Sequence, residues 1–264
     1  MISIIVPTYN EKDNIQKLIP AIHITLSRYE HELLVVDDNS PDGTAEAAEE
    51  MSGEYPVKVL RRSGKFGLAS AVIHGFKHAK GDVLGVIDAD LQHPPECVGD
   101  FALAVMNGHD IAVGSRYTGG GKIEGWSMYR SLVSRGAIML SKPLTNVRDP
   151  MSGYFFLKRR VIENVSFSPI GYKILLEILT KGSYENVKEI PYTFRIRKHG
   201  KSKLCGGEYF NYLKLLCYLY VYRFKKILNI EAESRTDKEG TLPEVVQNPG
   251  FKRLTDATNN KRAG

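Results

Sequence analysis

The chain has 264 residues, of which 42% are hydrophobic and 25% charged, with a formal net charge of +6. That is enough apolar material for a sizeable core, and it excludes a low-complexity or fibrous protein. The positive balance points to an anionic partner: a phosphorylated small molecule, an anionic membrane surface or a nucleic acid.

From the N-terminus to about residue 117, short β-branched runs alternate with helical patterns. The runs "ISIIV", "ELLVVDD", "VKVLRR", "DVLGVIDAD" and "DIAVGSR" predict buried strands. After the first, Asp13 or Asn14 is expected to cap a helix that places Ile15, Leu18, Ile19 and Ile22 on one face, with Pro20 inside it. Thr44 is expected to cap the "AEAAEEM" helix. Pro94 and Pro95 suit the first turn of the helix that carries Phe101. Strict alternation predicts an α/β fold, a mostly parallel sheet with helices on both faces, whose ligands bind beyond the carboxyl ends of the strands.

Further along, a glycine-rich loop "TGGGKIEG" precedes a helix from Tyr129 to Leu140. A strand "GYFFLKR", a helix "YKILLEILTKG" and a strand "VKEIPYTFRIR" follow. Residues 206–230 predict an amphipathic helix, with Leu213, Leu216, Tyr220, Phe224 and Ile227 on one side and a basic cluster at its end. Its tyrosines and lysines fit a membrane-interfacial helix, with packing on the core or docking to a membrane subunit as alternatives. The polar stretch 231–264 is expected to be a disordered tail. Three cysteines in no CxxC spacing predict neither a disulfide framework nor a zinc site, and favour a reducing compartment. No signal peptide and no apolar run long enough to span a bilayer is expected.

Three strand ends carry the chemistry. In "DADLQH", Asp88 and Asp90 lie two apart and so project to one side of an extended strand, and Gln92 continues the row if the extension persists. Oxygen ligands from one strand end suit Mg²⁺ or Mn²⁺ completed by substrate phosphates; a solvated turn is the alternative. In "PTYNE", Tyr9 can pack on a base and Glu11 can accept hydrogen bonds, although a plain turn explains the stretch as well. In "VVDDNSPDGT", Asp38 is placed for a ribose hydroxyl, while Asp37 can support the turn. GxGxxG and P-loop motifs are absent. Lys65, Arg116, Arg130, Arg197 and Lys203 stand beside these loops as candidate phosphate ligands.

In order, "VPTYNE", "VVDDNSPDGT", "KFGLASAVIHG", "DADLQHPPE", "GSRYTGGG", "DPMSGYFF", "GYKILLE" and "RKHGKSKL" closely resemble the dolichyl-phosphate mannosyltransferases, inverting GT-A glycosyltransferases of family 2. The resemblance covers about residues 1–205 and implies a single Rossmann-like GT-A catalytic domain there. The family's commoner glycine is replaced by Ala69, and Lys201 is more basic than usual. By motif, Pro7, Tyr9, Glu11, Val36 and Asp38 would line the guanosine site of GDP-mannose. Asp88, Ala89 and Asp90 would face the diphosphate and sugar, with Asp88, Asp90 and Gln92 on the metal. Arg197 and Lys203 would close over the diphosphate, and Arg116, Arg130 and Ser134 would hold the phosphate of a dolichyl or other polyprenyl acceptor. The implied catalytic set is Asp90, Arg116, Arg197 and Lys203, in a protein peripheral to the cytoplasmic side of a membrane. Competing readings are a UDP-glucose-dependent polyprenyl-phosphate glucosyltransferase and a non-catalytic nucleotide- or lipid-phosphate-binding module. A nucleic-acid binder is disfavoured because no reading motif or continuous basic stripe is present.

Overall fold

Period-two alternation in the strands sorts their side chains onto two faces, and each face is covered by helices. In the computed structural model, which describes residues 1–196 and 206–239, seven strands form one sheet in the order β3-β2-β1-β4-β6-β5-β7. They are β1 (Ile2–Thr8), β2 (His31–Asp37), β3 (Val57–Arg61), β4 (Val83–Val86), β5 (Ile111–Ser115), β6 (Phe155–Lys158) and β7 (Val187–Pro191). All run parallel except β6, which lies antiparallel between β4 and β5. A parallel two-stranded ribbon, Lys122–Ile123 with Thr193–Phe194, stands apart from it.

Ile4, Val6, Leu33 and Val35 pack on one face with Ile15, Leu18, Ile19 and Ile22 of α1 (Lys12–Leu26) and with Phe101 of α4 (Val98–Met106). Ile5, Leu34 and Val36 pack on the other with α3 (Leu68–His78) and α6 (Ile174–Lys181). The predicted apolar face of α1 is therefore the buried one, and Pro20 is accommodated inside the helix. The predicted caps are not the observed ones. Helix α1 starts after Glu11, whose carbonyl accepts from the N–H groups of Asn14 and Ile15. Helix α2 (Thr44–Glu50) starts after Gly43, at φ 83°, and its Thr44 hydroxyl instead donates to Asp42 and accepts from the Glu11 N–H. Pro95 opens a short 3₁₀ turn that leads into α4.

A third cluster joins α5 (Met128–Ser141), α6 and α7 (Gly206–Glu239). Its members include Ile138, Leu144, Met151 and Leu176, packed on Leu215, Leu216 and Leu219 of α7. The predicted apolar side of this helix is thus not the side that packs on the core. Leu216 is buried, but Leu213 and Tyr220 are exposed, because the core lies on the face that carries Leu215 and Leu219. By contacts the chain divides after Arg223.

The strand order places the site. Strands β1 to β3 build outward in one direction, and β4 then returns to the other side of β1, so the crevice between β1 and β4 is a topological switch point. Because β6 is antiparallel, the segment that enters it, residues 149–154, lies at the edge where β4 and β5 end, with Phe155 opposite both Val86 and Val113.

Candidate active site

Pro7 and Val36 are register partners on β1 and β2, both buried, so the two residues implied for one wall of a nucleoside site sit side by side. Beyond β1 the chain turns through Asn10, at φ 58°. Tyr9, in this turn, carries the Lys65 ammonium 4.1 Å above its ring centroid, over a face on which a base would stack. Asp37 supports the turn after β2, accepting from the Thr8 hydroxyl at 3.0 Å and from Ser40. The buried carboxylate of Asp38 accepts from Arg62 at 2.5 Å and from the N–H groups of Phe66 and Gly67 at 3.0 and 2.9 Å. In this structure Asp38 therefore ties down the loop 62–67, a partner set that the sequence does not reveal.

Strand β4 ends at Val86, and the extended row expected through Asp88, Asp90 and Gln92 does not persist, because Leu91 takes φ 58° and turns the chain. Asp88 and Asp90 precede this turn and Gln92 follows it. The Gln92 N–H donates to Asp90 Oδ1 at 3.1 Å, and Gln92 Nε2 donates to the Arg195 carbonyl at 2.9 Å, which leaves its amide oxygen on the other side. A side chain at position 153 would put its Cβ 2.8 Å from Asp88 Oδ2, so glycine there lets that carboxylate keep its position. His93, buried and stacked on Tyr154, accepts from the Asp88 N–H at 3.4 Å. Burial brings its pKa down to about 4, so the 3.7 Å approach of its Nδ1 to Asp88 Oδ2 is a contact of a neutral ring, not an ion pair.

Across β6, Arg116 follows β5 and is 8% exposed. Its Nε and Nη2 fork onto Asp149 at 2.8 and 2.7 Å, and its N–H adds a third bond at 2.9 Å. Burial opposes the guanidinium charge, but Asp149 more than compensates and keeps it protonated. Arg130, in the first turn of α5, lies 4.3 Å over the Trp126 ring, which is also 5.3 Å from Arg116. Ser134, one turn later, shares a 2.9 Å hydrogen bond with the Tyr117 hydroxyl. The three residues implied for an acceptor phosphate are thus gathered around two aromatic rings. Arg197 and Lys203 lie outside the described residues, although the chain is delivered toward them from beside Gln92, whose carbonyl accepts from the Arg195 N–H at 3.0 Å.

Three contributors escaped the sequence reading. Asp149 and Gly153 belong to "DPMSGYFF", a stretch visible as a motif but without a role until the antiparallel strand places it. Lys173, from "GYKILLE", donates to the Met151 carbonyl at 3.0 Å, inside the same segment. Burial, and then the Arg116 charge, bring its pKa down to about 7.

Residues 3–166 match the family model for glycosyl transferase family 2. Over 229 residues the chain is 51% identical to a dolichol-phosphate mannosyltransferase of Pyrococcus furiosus, covering 85% of this chain and 64% of that one. A dolichol-phosphate mannosyltransferase of Saccharomyces cerevisiae is 40% identical, over 84% of this chain and 88% of the yeast protein. The chain belongs to this glycosyltransferase family. Its fold is also that of glucosyl-3-phosphoglycerate synthase from Mycobacterium tuberculosis, solved with Mn²⁺, UDP and phosphoglyceric acid. That likeness has a TM-score of 0.62 at 18% identity, covering 84% of this chain and 78% of the other. The chain spans somewhat less than two thirds of the archaeal relative's length and most of the yeast protein's.

Proposed function

We propose that the enzyme transfers mannose from GDP-mannose to dolichyl or another polyprenyl phosphate, with inversion to a β-linked mannosyl phosphate. Its relatives are named for dolichol-phosphate mannosyl transfer. The observation that carries the residue assignment is the segment 149–153: one end clamps Arg116 through Asp149, and the other leaves space for Asp88 through Gly153. A donor diphosphate at the carboxylates and an acceptor phosphate at the arginines would therefore meet across five residues of backbone.

Pro7, Tyr9, Glu11, Val36 and Asp38 are assigned to the nucleoside, and Asp88, Ala89 and Asp90 to the diphosphate and sugar. Arg116, with Arg130 and Ser134, is assigned to the acceptor phosphate. This phosphate is already ionised at neutral pH, so it needs positioning in line with the anomeric carbon and no general base. Arg197 and Lys203 are assigned to the charge that develops on departing GDP.

The donor set fits a hard divalent cation such as Mg²⁺ or Mn²⁺. Asp88, Asp90 and the Gln92 amide oxygen offer oxygen atoms only, and the described residues hold no group of three or more His, Cys, Asp or Glu suited to a metal. A partial oxygen shell suits an ion that takes its other ligands from phosphates and water. Bound there, it would supply neutralisation of the leaving diphosphate.

Residues 1–205 are assigned to catalysis and 206–230 to a membrane surface or a membrane-anchoring subunit on the cytoplasmic side; α7 continues past residue 230 to Glu239, into the stretch 231–264 expected to be a tail. No helix among the described residues is long and apolar enough to cross a membrane. The outer face of α5 supports a peripheral association: Met128, Leu132 and Met139 are 91%, 70% and 76% exposed, with Arg135 between them.

Transfer of labelled sugar to a short polyprenyl phosphate tests the assignment, with GDP-mannose and UDP-glucose in parallel, with Mg²⁺ or EDTA. Transfer from GDP-mannose alone, abolished by EDTA and lowered about a hundredfold or more in Asp90→Asn, is expected. Transfer from UDP-glucose alone would overturn the named sugar, and full activity in EDTA would overturn the metal.

A further inference from the structure

Two of the groups assigned to the acceptor phosphate share one neighbour. Trp126 lies between the ribbon strand Lys122–Ile123 and α5, with the Arg130 guanidinium 4.3 Å and the Arg116 guanidinium 5.3 Å from its ring. Phe194 meets the same ring edge to face at 5.7 Å and 74°. The indole Nε1 is buried and has no hydrogen-bond partner among the described residues. Buried donors are nearly always paired, because leaving one unmade costs about 1–3 kcal/mol. The ring that carries this donor has two guanidinium groups against it, a neighbourhood suited to an anion.

The charge balance adds to the argument. Asp149 takes both Nε and Nη2 of Arg116 and offsets its charge. An acceptor phosphate held there gains less from Arg116 than from an unclamped arginine, and a neutral N–H donor adds strength and direction without adding charge.

We propose that Trp126 is a further acceptor-binding residue: its indole N–H donates to an oxygen of the acceptor phosphate while its ring positions Arg116 and Arg130. The inference rests on the assignment of those arginines to that phosphate. It makes Trp126 selective for phosphorylated polyprenyl chains over the corresponding alcohols.

The chain contains a single tryptophan, so fluorescence excited at the red edge, where its tyrosines do not absorb, reports on this ring alone. Titration of the wild-type protein with farnesyl phosphate in detergent is expected to change the emission saturably, and farnesol is expected to leave it unchanged. In the transfer assay, Trp126→Phe keeps a ring and loses the N–H. It is expected to raise the KM for the acceptor about tenfold, the value of one hydrogen bond to a charged group, with kcat and the KM for GDP-mannose unchanged. Arg130→Gln, assayed beside it, reports on the underlying site.

If Arg130→Gln raises the acceptor KM and Trp126→Phe leaves it within about twofold of wild type, the proposal fails and the phosphate site stands. The indole N–H is then satisfied by the Phe194 ring alone. If neither variant moves that KM, the phosphate site fails and the proposal with it. An emission equally indifferent to farnesyl phosphate and farnesol also overturns it, whether or not the variants fold.

Discussion

At the scale of single residues, the structure gives weight to positions that carry no chemistry. Gly85, in the middle of β4, leaves room for neighbours from both adjoining strands: an added Cβ would lie 2.5 Å from Phe156 Cζ and 2.8 Å from Ile4 Cδ1. Gly85→Ala should therefore cost about 1–3 kcal/mol in chemical denaturation, the usual range for overpacking a filled core. Asp110 is an electrostatic counterpart, far along the sheet from the site. Burial pushes its carboxyl up, but the Glu185 N–H, then Lys158, then Arg160 together bring it down to about 2 from 3.8. A carboxyl depressed in the folded state adds stability above its unfolded pKa and loses it as pH falls through the folded one. Wild type should exceed Asp110→Asn by about 2 kcal/mol at neutral pH, and the two should converge between pH 4 and pH 2. A constant gap down to pH 2 in urea melts would contradict this origin.

At the scale of elements, α7 shows how far periodicity carries. A helix with leucines and tyrosines at several spacings has more than one candidate apolar face, and propensity cannot choose between them. The neighbours choose. Leu215, Leu216 and Leu219 meet Ile138 of α5 and Leu176 of α6, so they form the buried stripe and Leu213 does not. Leu219→Ala should destabilise the protein by about 2–5 kcal/mol, whereas Leu213→Ala should stay within about 0.5 kcal/mol in the same denaturation experiment. The strand after Gly153 is a second example. "GYFFLKR" is visibly a strand, but its direction is set by its pairing with Val83–Val86 and Ile111–Val113, far back in the chain, and that direction brings Asp149 and Gly153 to the active edge.

At the scale of the whole molecule, the exposed apolar line on α5 and the charge of +6 act together. Sedimentation with anionic vesicles should show binding that weakens with salt, and Leu132→Glu with Met139→Glu should reduce it without changing thermal stability. Retention of full binding by this double variant would place the membrane contact elsewhere. The sequence by itself determined the alternation of strands and helices, the buried face of α1 and the family, because these rest on local periodicity and on contiguous motifs. It also marked the aspartates after β4, since two carboxylates at the end of an apolar run conflict with burial unless they have a task. What it did not determine was the partnership of those groups. The Asp149 clamp on Arg116, the loop held by Asp38 and the Phe194 ring against Trp126 all depend on residues distant in the chain. Only the tertiary structure decided them, because hydrogen bonds and ring contacts across such distances follow from sheet order and strand direction, which no local pattern encodes.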